Sequence, residues 1–239
     1  MTKRKRGTSN AKPGYKKSKA NGSTRTAGYY GRYGHGSDEL KFLDVTVDDA
    51  VVAAGGAING ANFGAVVEEL FKVPQGDGES SRDGRQIWAE KIGLHFDVEL
   101  PNHFGTTGAL FTHDIVRIML IHDKQANGAF PSAITDILET GEYDSFNNLA
   151  NSKRFRTLFD KTISLNSAAF TTDGAATPNY NVGRMGKSFQ KYVKLQMPVE
   201  YDGTTGAIST VKSNNIFLIY ISKHGIAKVN CQARLRFRG

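Results

Sequence analysis

The chain has 239 residues, a hydrophobic fraction of 39% and a formal net charge of +8 at pH 7. This length and apolar content predict a folded domain with a substantial core. A single cysteine, Cys231, excludes a disulfide framework within the chain. No apolar run is long enough for a transmembrane helix, and the N-terminus lacks the apolar segment of a secretory signal, so we expect no association with a membrane.

The positive charge is concentrated in residues 1–36, which contain ten basic residues and no acidic residue. The remaining 203 residues contain 21 basic and 23 acidic residues, a net charge of −2. The ten basic residues are Lys3, Arg4, Lys5, Arg6, Lys12, Lys16, Lys17, Lys19, Arg25 and Arg32.

The composition of residues 1–36, rich in Lys, Gly, Ser, Thr and Asn, predicts a disordered arm, because such a segment buries too little apolar surface to offset its chain entropy. A solubilising tail is one interpretation. We favour an arm that binds nucleic acid, since unopposed positive charge attracts phosphate without needing structure. Tyr29, Tyr30 and Tyr33 either stack on bases or anchor the arm to the folded body.

Two basic clusters in the arm, KRKR and KKSK, also fit a bipartite nuclear import signal. The residues assigned to that signal are Lys3, Arg4, Lys5, Arg6, Lys16, Lys17 and Lys19. If the signal operates, nuclear import receptors are expected partners.

Residues 37–239 are predicted to form the folded domain. Apolar residues alternate with polar ones from Leu43 to Val47 and, most clearly, from Ile92 to Leu100, which indicates half-buried strands. Residues 74–87, with three glycines and a proline, form a loop between them. The segment 66–73 fits either a strand or a helix.

The segment VRIMLIHDKQANGAFPSAITDIL, residues 116–138, predicts a buried strand, a turn at Asn127-Gly128 and a short helix that lies over the strand. The helix would begin near Pro131 and place Ile134, Ile137 and Leu138 on one face.

Four further strands are predicted in the second half of the chain. Residues 154–165 form one, with Phe155, Phe159, Ile163 and Leu165 on one side, and residues 193–199 form another, which Pro198 marks as a strand end or edge. The apolar run 216–221 and the alternating segment 229–238 supply the last two.

The final strand carries three arginines on one face. Arg234, Arg236 and Arg238 alternate with the apolar Ala233, Leu235 and Phe237. Either this face is a solvated surface, or it contacts nucleic acid or an acidic neighbour.

Many short strands, polar loops and almost no helix predict an all-β sandwich or barrel. We expect Val116, Ile118, Leu120, Ile219 and Leu235 to be buried in its core.

No set of residues predicts an enzyme, a metal site or a cofactor. His113-Asp114 and His122-Asp123 bracket the central strand and lie too far apart to share a metal ion. Cys231 has the apolar parity of its strand and is expected to be a small core residue. The acidic pairs Asp48-Asp49 and Glu68-Glu69 are expected on a solvated surface, with calcium binding as the less favoured alternative.

Several motifs follow one another in a characteristic order between residues 74 and 161. Their residues are Arg82, Gly84, Arg85, Ile87, Asp123, Lys124, Gln125, Asn127, Gly128, Pro131, Asp136, Ile137, Leu138, Asn151, Arg154, Phe155, Asp160 and Lys161. This order resembles that in capsid proteins of circular single-stranded DNA viruses that encode a replication initiator, the broad group containing circoviruses and geminiviruses.

This resemblance implies a single viral jelly roll, an eight-stranded antiparallel β-sandwich. It further implies self-assembly into a small icosahedral T=1 shell of sixty copies around a single-stranded DNA genome, with the basic arm facing the DNA. The implied locations are the virion and, during assembly, the host nucleus. The C-terminal RLRFRG departs from the family pattern, in which an acidic residue follows the Phe. The alternative is a non-viral basic-tailed β-domain that binds nucleic acid without forming a shell.

Overall fold

The computed structural model describes residues 39–51, 66–100, 113–166 and 186–239, so the whole basic arm lies outside the described residues. These residues form nine strands: β1 (Leu40–Val51), β2 (Val66–Glu69), β3 (Gln86–Glu99), β4 (His113–Asp123), β5 (Phe155–Asn166), β6 (Gly186–Tyr201), β7 (Val211–Ser213), β8 (Asn215–Ser222) and β9 (Lys228–Arg238). Helical structure in them is limited to single 3-10 turns at Ile134–Asp136, Leu149–Asn151 and Ile208–Thr210. The predicted all-β class is confirmed.

The strands form two antiparallel sheets, ordered β1-β9-β3-β6-β7 and β2-β8-β4-β5. Four of the pairings are nested along the chain: β1 with β9, β2 with β8, β3 with β6, and β4 with β5. The short β7, which the sequence did not reveal, extends the edge of the first sheet through two register positions with β6.

One hydrophobic core draws buried side chains from both sheets, as in a sandwich. Val116, Ile118, Leu120 and Leu235 belong to this core, as predicted. Ile219 is also buried, but it lies in a second cluster with Met119 and Ile121 of β4. Strands β4 and β8 are therefore covered on both faces, which explains why their sequences are continuously apolar rather than alternating.

The second cluster is closed by the segment between β4 and β5. Ile134, Ile137 and Leu138 pack there with Phe217 and Ile219 of β8, so the predicted apolar cover over the strand is confirmed. The predicted short helix is present only as a single 3-10 turn, Ile134–Asp136. It does not continue, because the Asn148 side chain donates to the Thr135 carbonyl at 2.7 Å and the Glu139 amide donates to the Phe146 carbonyl at 2.9 Å instead of to the turn.

Strand β5 departs from the predicted alternation. Its register with β4 skips one residue, because Phe159 pairs with Leu120 while Thr157 pairs with Ile121. Phe155 therefore joins the second cluster, whereas Ile163 and Leu165 join the main core. A bulge of one residue reverses the faces of a strand, so residues of the same parity lie on opposite sides here.

A buried arginine organises the loop before β3. Arg82 is fully buried, and its guanidinium donates to the carbonyls of Val73, Gly84 and Gly203. The same group stacks over the Tyr201 ring, 4.4 Å from the ring centroid. One cation thus joins two loops whose backbones lack regular partners at these points.

We predict that Arg82→Lys lowers the free energy of unfolding by about 2–4 kcal/mol, because a lysine ammonium cannot span the separate carbonyls that the planar guanidinium reaches. Urea denaturation of the full chain measures this loss. The matched control is Arg85→Lys, since Arg85 is exposed and three residues away. Equal effects of the two substitutions would contradict the structural role of Arg82.

Glu69 is buried, contrary to the expected solvated surface. Burial raises the pKa of its carboxyl from 4.5 to about 7, and the nearby Lys72 charge offsets only part of this shift. Because the folded state binds this proton more tightly than the unfolded state, the resulting stability is present below about pH 4.5 and is lost as the pH rises through about 7.

We predict that Glu69→Gln removes this pH dependence. Between about pH 5 and pH 8 the stability of the wild type should fall relative to the variant by up to about 3 kcal/mol. Urea unfolding at the two pH values checks it, with Glu68→Gln on the half-buried neighbour as control. Parallel pH profiles for the wild type and Glu69→Gln would refute the burial effect.

Candidate nucleic-acid interface

The outer face of the five-stranded sheet carries the predicted arginines. Arg234 and Arg236 are exposed and Arg238 is half-buried, whereas Ala233, Leu235 and Phe237 point into the core. The shared face expected for the three arginines is therefore confirmed. Its role in binding remains a prediction.

Two of these arginines already have acidic partners. The Arg234 guanidinium donates to both Asp44 carboxylate oxygens at 2.7 and 2.6 Å, and Arg238 donates to Glu90 at 2.6 Å. The bonds from Arg234 lower the pKa of Asp44, and the same bonds raise the pKa of Arg234. The Asp44–Arg234 pair is solvent-exposed and so contributes little to stability. A phosphate that binds Arg234 or Arg238 must compete with a carboxylate.

Arg236 instead lies in a row of three cations. The register places Arg236 of β9 opposite Lys91 of β3, and Lys91 opposite Lys194 of β6. Within the described part of the chain, none of the three forms an ion pair. Like charges at directly opposed positions destabilise a sheet, so this basic row (Lys91, Lys194 and Arg236) carries positive charge that the fold itself leaves uncompensated.

An exposed aromatic ring lies beside the basic row. Tyr192 of β6 is 65% exposed, and it lies against Gly93: a Cβ added to this glycine would be 3.0 Å from the Tyr192 ring. His95 meets the same ring edge-on, with 6.4 Å between centroids. A groove of about 470 Å³ is lined by Lys91, Gly93, His95, Tyr192, Arg234 and Arg236.

This combination of exposed cations and an exposed ring suits a single strand of nucleic acid, in which phosphates need positive charge and bases stack on aromatic faces. Lys91, Lys194 and Tyr192 were not predicted from the sequence as site residues. Their outward parity on β3 and β6 was a signal, but only the lateral register brings them next to Arg236.

The other predicted site residues lie elsewhere. All ten basic residues of the arm, together with Tyr29, Tyr30 and Tyr33, fall outside the described residues. Cys231 is buried, and burial raises the pKa of its thiol to about 12, so it is a poor nucleophile. His122 bonds Asn214 at one end of β4, and His113 lies at the other end.

In the described ranges no three His, Cys, Asp or Glu residues form a group suited to a metal ion, and none of the helical turns is long and apolar enough to span a membrane.

Several of the motif residues named in the sequence analysis hold the segment between β4 and β5 in place. Arg154 donates to both carboxylate oxygens of the buried Asp123, at 3.0 and 2.8 Å, which raises the pKa of Arg154. Asn151 donates to the Asp136 carbonyl at 3.0 Å. Gly128 has a φ of +77° and approaches the Ser209 carbonyl so closely that a side chain would collide with it. These residues support the fold rather than a reaction.

No protein-family model and no curated protein matches the chain.

We predict that neutralising the basic row stabilises the body. The double variant Lys194→Gln/Arg236→Gln should raise the free energy of unfolding by a few tenths of a kcal/mol at low salt, and less at higher salt. A short oligo-dT should raise the thermal midpoint of the wild type more than that of this variant, because ligands stabilise the state that they bind.

The control for this prediction is Lys153→Gln/Lys223→Gln, which removes two exposed charges from other surfaces. If oligo-dT shifts all three proteins equally, the basic row is not a contact for nucleic acid.

Proposed function

We propose that this protein is a viral capsid protein that self-assembles into a small icosahedral shell and packages circular single-stranded DNA through its basic N-terminal arm. Its partners would be further copies of itself, sixty in a T=1 shell, together with the DNA genome and host nuclear import receptors. It would be located in the virion and, during assembly, in the host nucleus.

The nested strand pairing is the observation that carries this proposal. A jelly roll has eight strands in two sheets connected as Greek keys. With the short β7 set aside, the remaining strands pair first with last in four nested pairs, as in one long hairpin. The pairings of β9 with β3 and β8 with β4 then curl this hairpin into two sheets. This order supports a viral jelly roll.

The interlocked motif residues add support of a different kind. Arg82, Asp123, Asp136, Asn151 and Arg154 were matched to capsid proteins by order and spacing alone. Each of them makes a hydrogen bond that fixes a segment connecting two strands. The resemblance is therefore based on residues that help to fix the course of the chain.

The proposed DNA ligand is inferred from the distribution of charge, because a fold alone does not imply a function. Ten basic residues precede a domain with a net charge of −2. The first strand begins at Leu40, opposite Arg238, and Phe42 lies opposite Arg236. The start of β1 thus lies next to Arg236 of the basic row. We therefore propose that this face of the sheet lines the inside of the shell, with the basic row as a second contact for DNA.

We predict that deletion of residues 1–36 leaves a folded body that still assembles but encloses little DNA, because the shell closes through contacts between bodies. The absorbance ratio of purified particles at 260 and 280 nm measures the DNA content. For the free protein, the logarithm of the affinity should fall by roughly 0.7 per neutralised phosphate for each unit of log salt.

A full-length variant with all ten basic arm residues changed to Gln is the matched control, since it keeps the chain length and removes only the charge. It should behave like the deletion. A ratio equal to that of wild-type particles would transfer the main DNA contact to the body. Electron micrographs of the full-length protein without particles would instead favour the β-domain that binds nucleic acid without a shell.

A further inference from the structure

Two histidines meet at the end of the sandwich opposite the basic row. His113 is the first residue of β4, and His224 lies in the connection between β8 and β9. Their Nε2 atoms are 3.3 Å apart, the ring centroids are 5.0 Å apart, and the ring planes are perpendicular. His113 is exposed and His224 is half-buried, so solvent reaches the pair.

A buried carboxylate next to the pair joins the start of β4 to the backbone of the β8–β9 connection. Asp114, adjacent to His113, is fully buried and accepts hydrogen bonds from the Ser222 hydroxyl at 2.6 Å and from the His224 amide at 3.1 Å. The amides of Ile226 and Ala227 donate to the same carboxylate at 3.2 and 3.0 Å. The start of β4 and the β8–β9 connection are thereby fixed to each other, so the backbone that carries the two histidines is held in place.

The separation of the two nitrogens matches an edge of a tetrahedral metal site. Zinc–imidazole bonds of about 2.0–2.1 Å at a tetrahedral angle place two ligand nitrogens about 3.3–3.4 Å apart. The observed distance is 3.3 Å. Metal binding uses the Nε2 lone pair of each ring, with the ring proton of each imidazole on Nδ1.

We propose that His113 and His224 form a two-histidine site for a divalent transition metal ion of the kind imidazole favours, with Zn²⁺ as the representative. Water completes the coordination, in keeping with the lack of a third ligand among the described residues. The site clamps the β8–β9 connection to β4. It is independent of the proposed packaging function, because it involves neither the arm nor the basic row.

Calorimetric titration of chelator-treated full-length protein with zinc chloride tests the proposal. We expect one saturable site per chain, and a zinc-dependent rise in the thermal midpoint. His113→Ala and His224→Ala should each weaken binding at least about tenfold, since the loss of even a supporting contact to a metal ligand has effects of that size. Both side chains reach solvent, so circular dichroism should show unchanged folding.

Two controls distinguish a metal site from a hydrogen bond between the rings. His113→Gln keeps a side chain that can bond His224 but is a weak metal ligand, so it should behave like His113→Ala. His95→Ala removes an exposed histidine from the five-stranded sheet and should bind like the wild type. Absence of saturable binding, or equal zinc affinity in the wild type and the His113 and His224 variants, would overturn the proposal.

Discussion

The register of β3 against its two neighbours determines both the core and the outer face of the five-stranded sheet. Ile87 and Ala89 are buried, and strict alternation from them would direct Lys91 into the core. The register with β9 instead shifts between Ala89 and Lys91, so the buried series restarts at Ile92. The extra residue, Glu90, directs its carboxylate to Arg238 at 2.6 Å. A one-residue slip reverses every later side chain, so this bulge keeps a lysine out of the core and exposes it beside Arg236.

Buried charged side chains hold the connections at both ends of the sandwich. Burial of a charge is costly unless several hydrogen bonds replace its hydration. Asp114 gathers amide donors at one end of the sandwich, and Arg82 gathers carbonyl acceptors at the other. Each thus compensates its own burial by satisfying backbone groups of irregular segments, which would otherwise lack partners. Loss of one such side chain leaves several polar groups unpaired at once.

The sequence predicted those features that depend on one strand alone. Alternation located β1, β3 and β9, and continuous apolar runs located β4 and β8, because the period of a strand is visible in its own residues. Prediction from the sequence failed where pairing with another strand determines the face or the neighbours of a residue. The bulge in β5 moves Phe155 to another face, and the neighbour that joins Lys91 to Arg236 is chosen by pairing. The three residues of β7 are too few to carry a period.

The same distinction applies to the candidate interface, part of which could be predicted from the sequence and part only from the structure. Composition alone predicted the arm as a ligand for phosphate, since electrostatic attraction by ten charges requires no particular fold. The basic row required the fold, because Lys91, Lys194 and Arg236 are distant in the sequence and become neighbours through β3. Attraction of this kind is independent of base sequence, whereas cations fixed on a sheet have one spacing and one direction. In the proposed shell the arm would therefore supply most of the affinity for DNA, and the row, with Tyr192 beside it, would orient the strand against the inner wall.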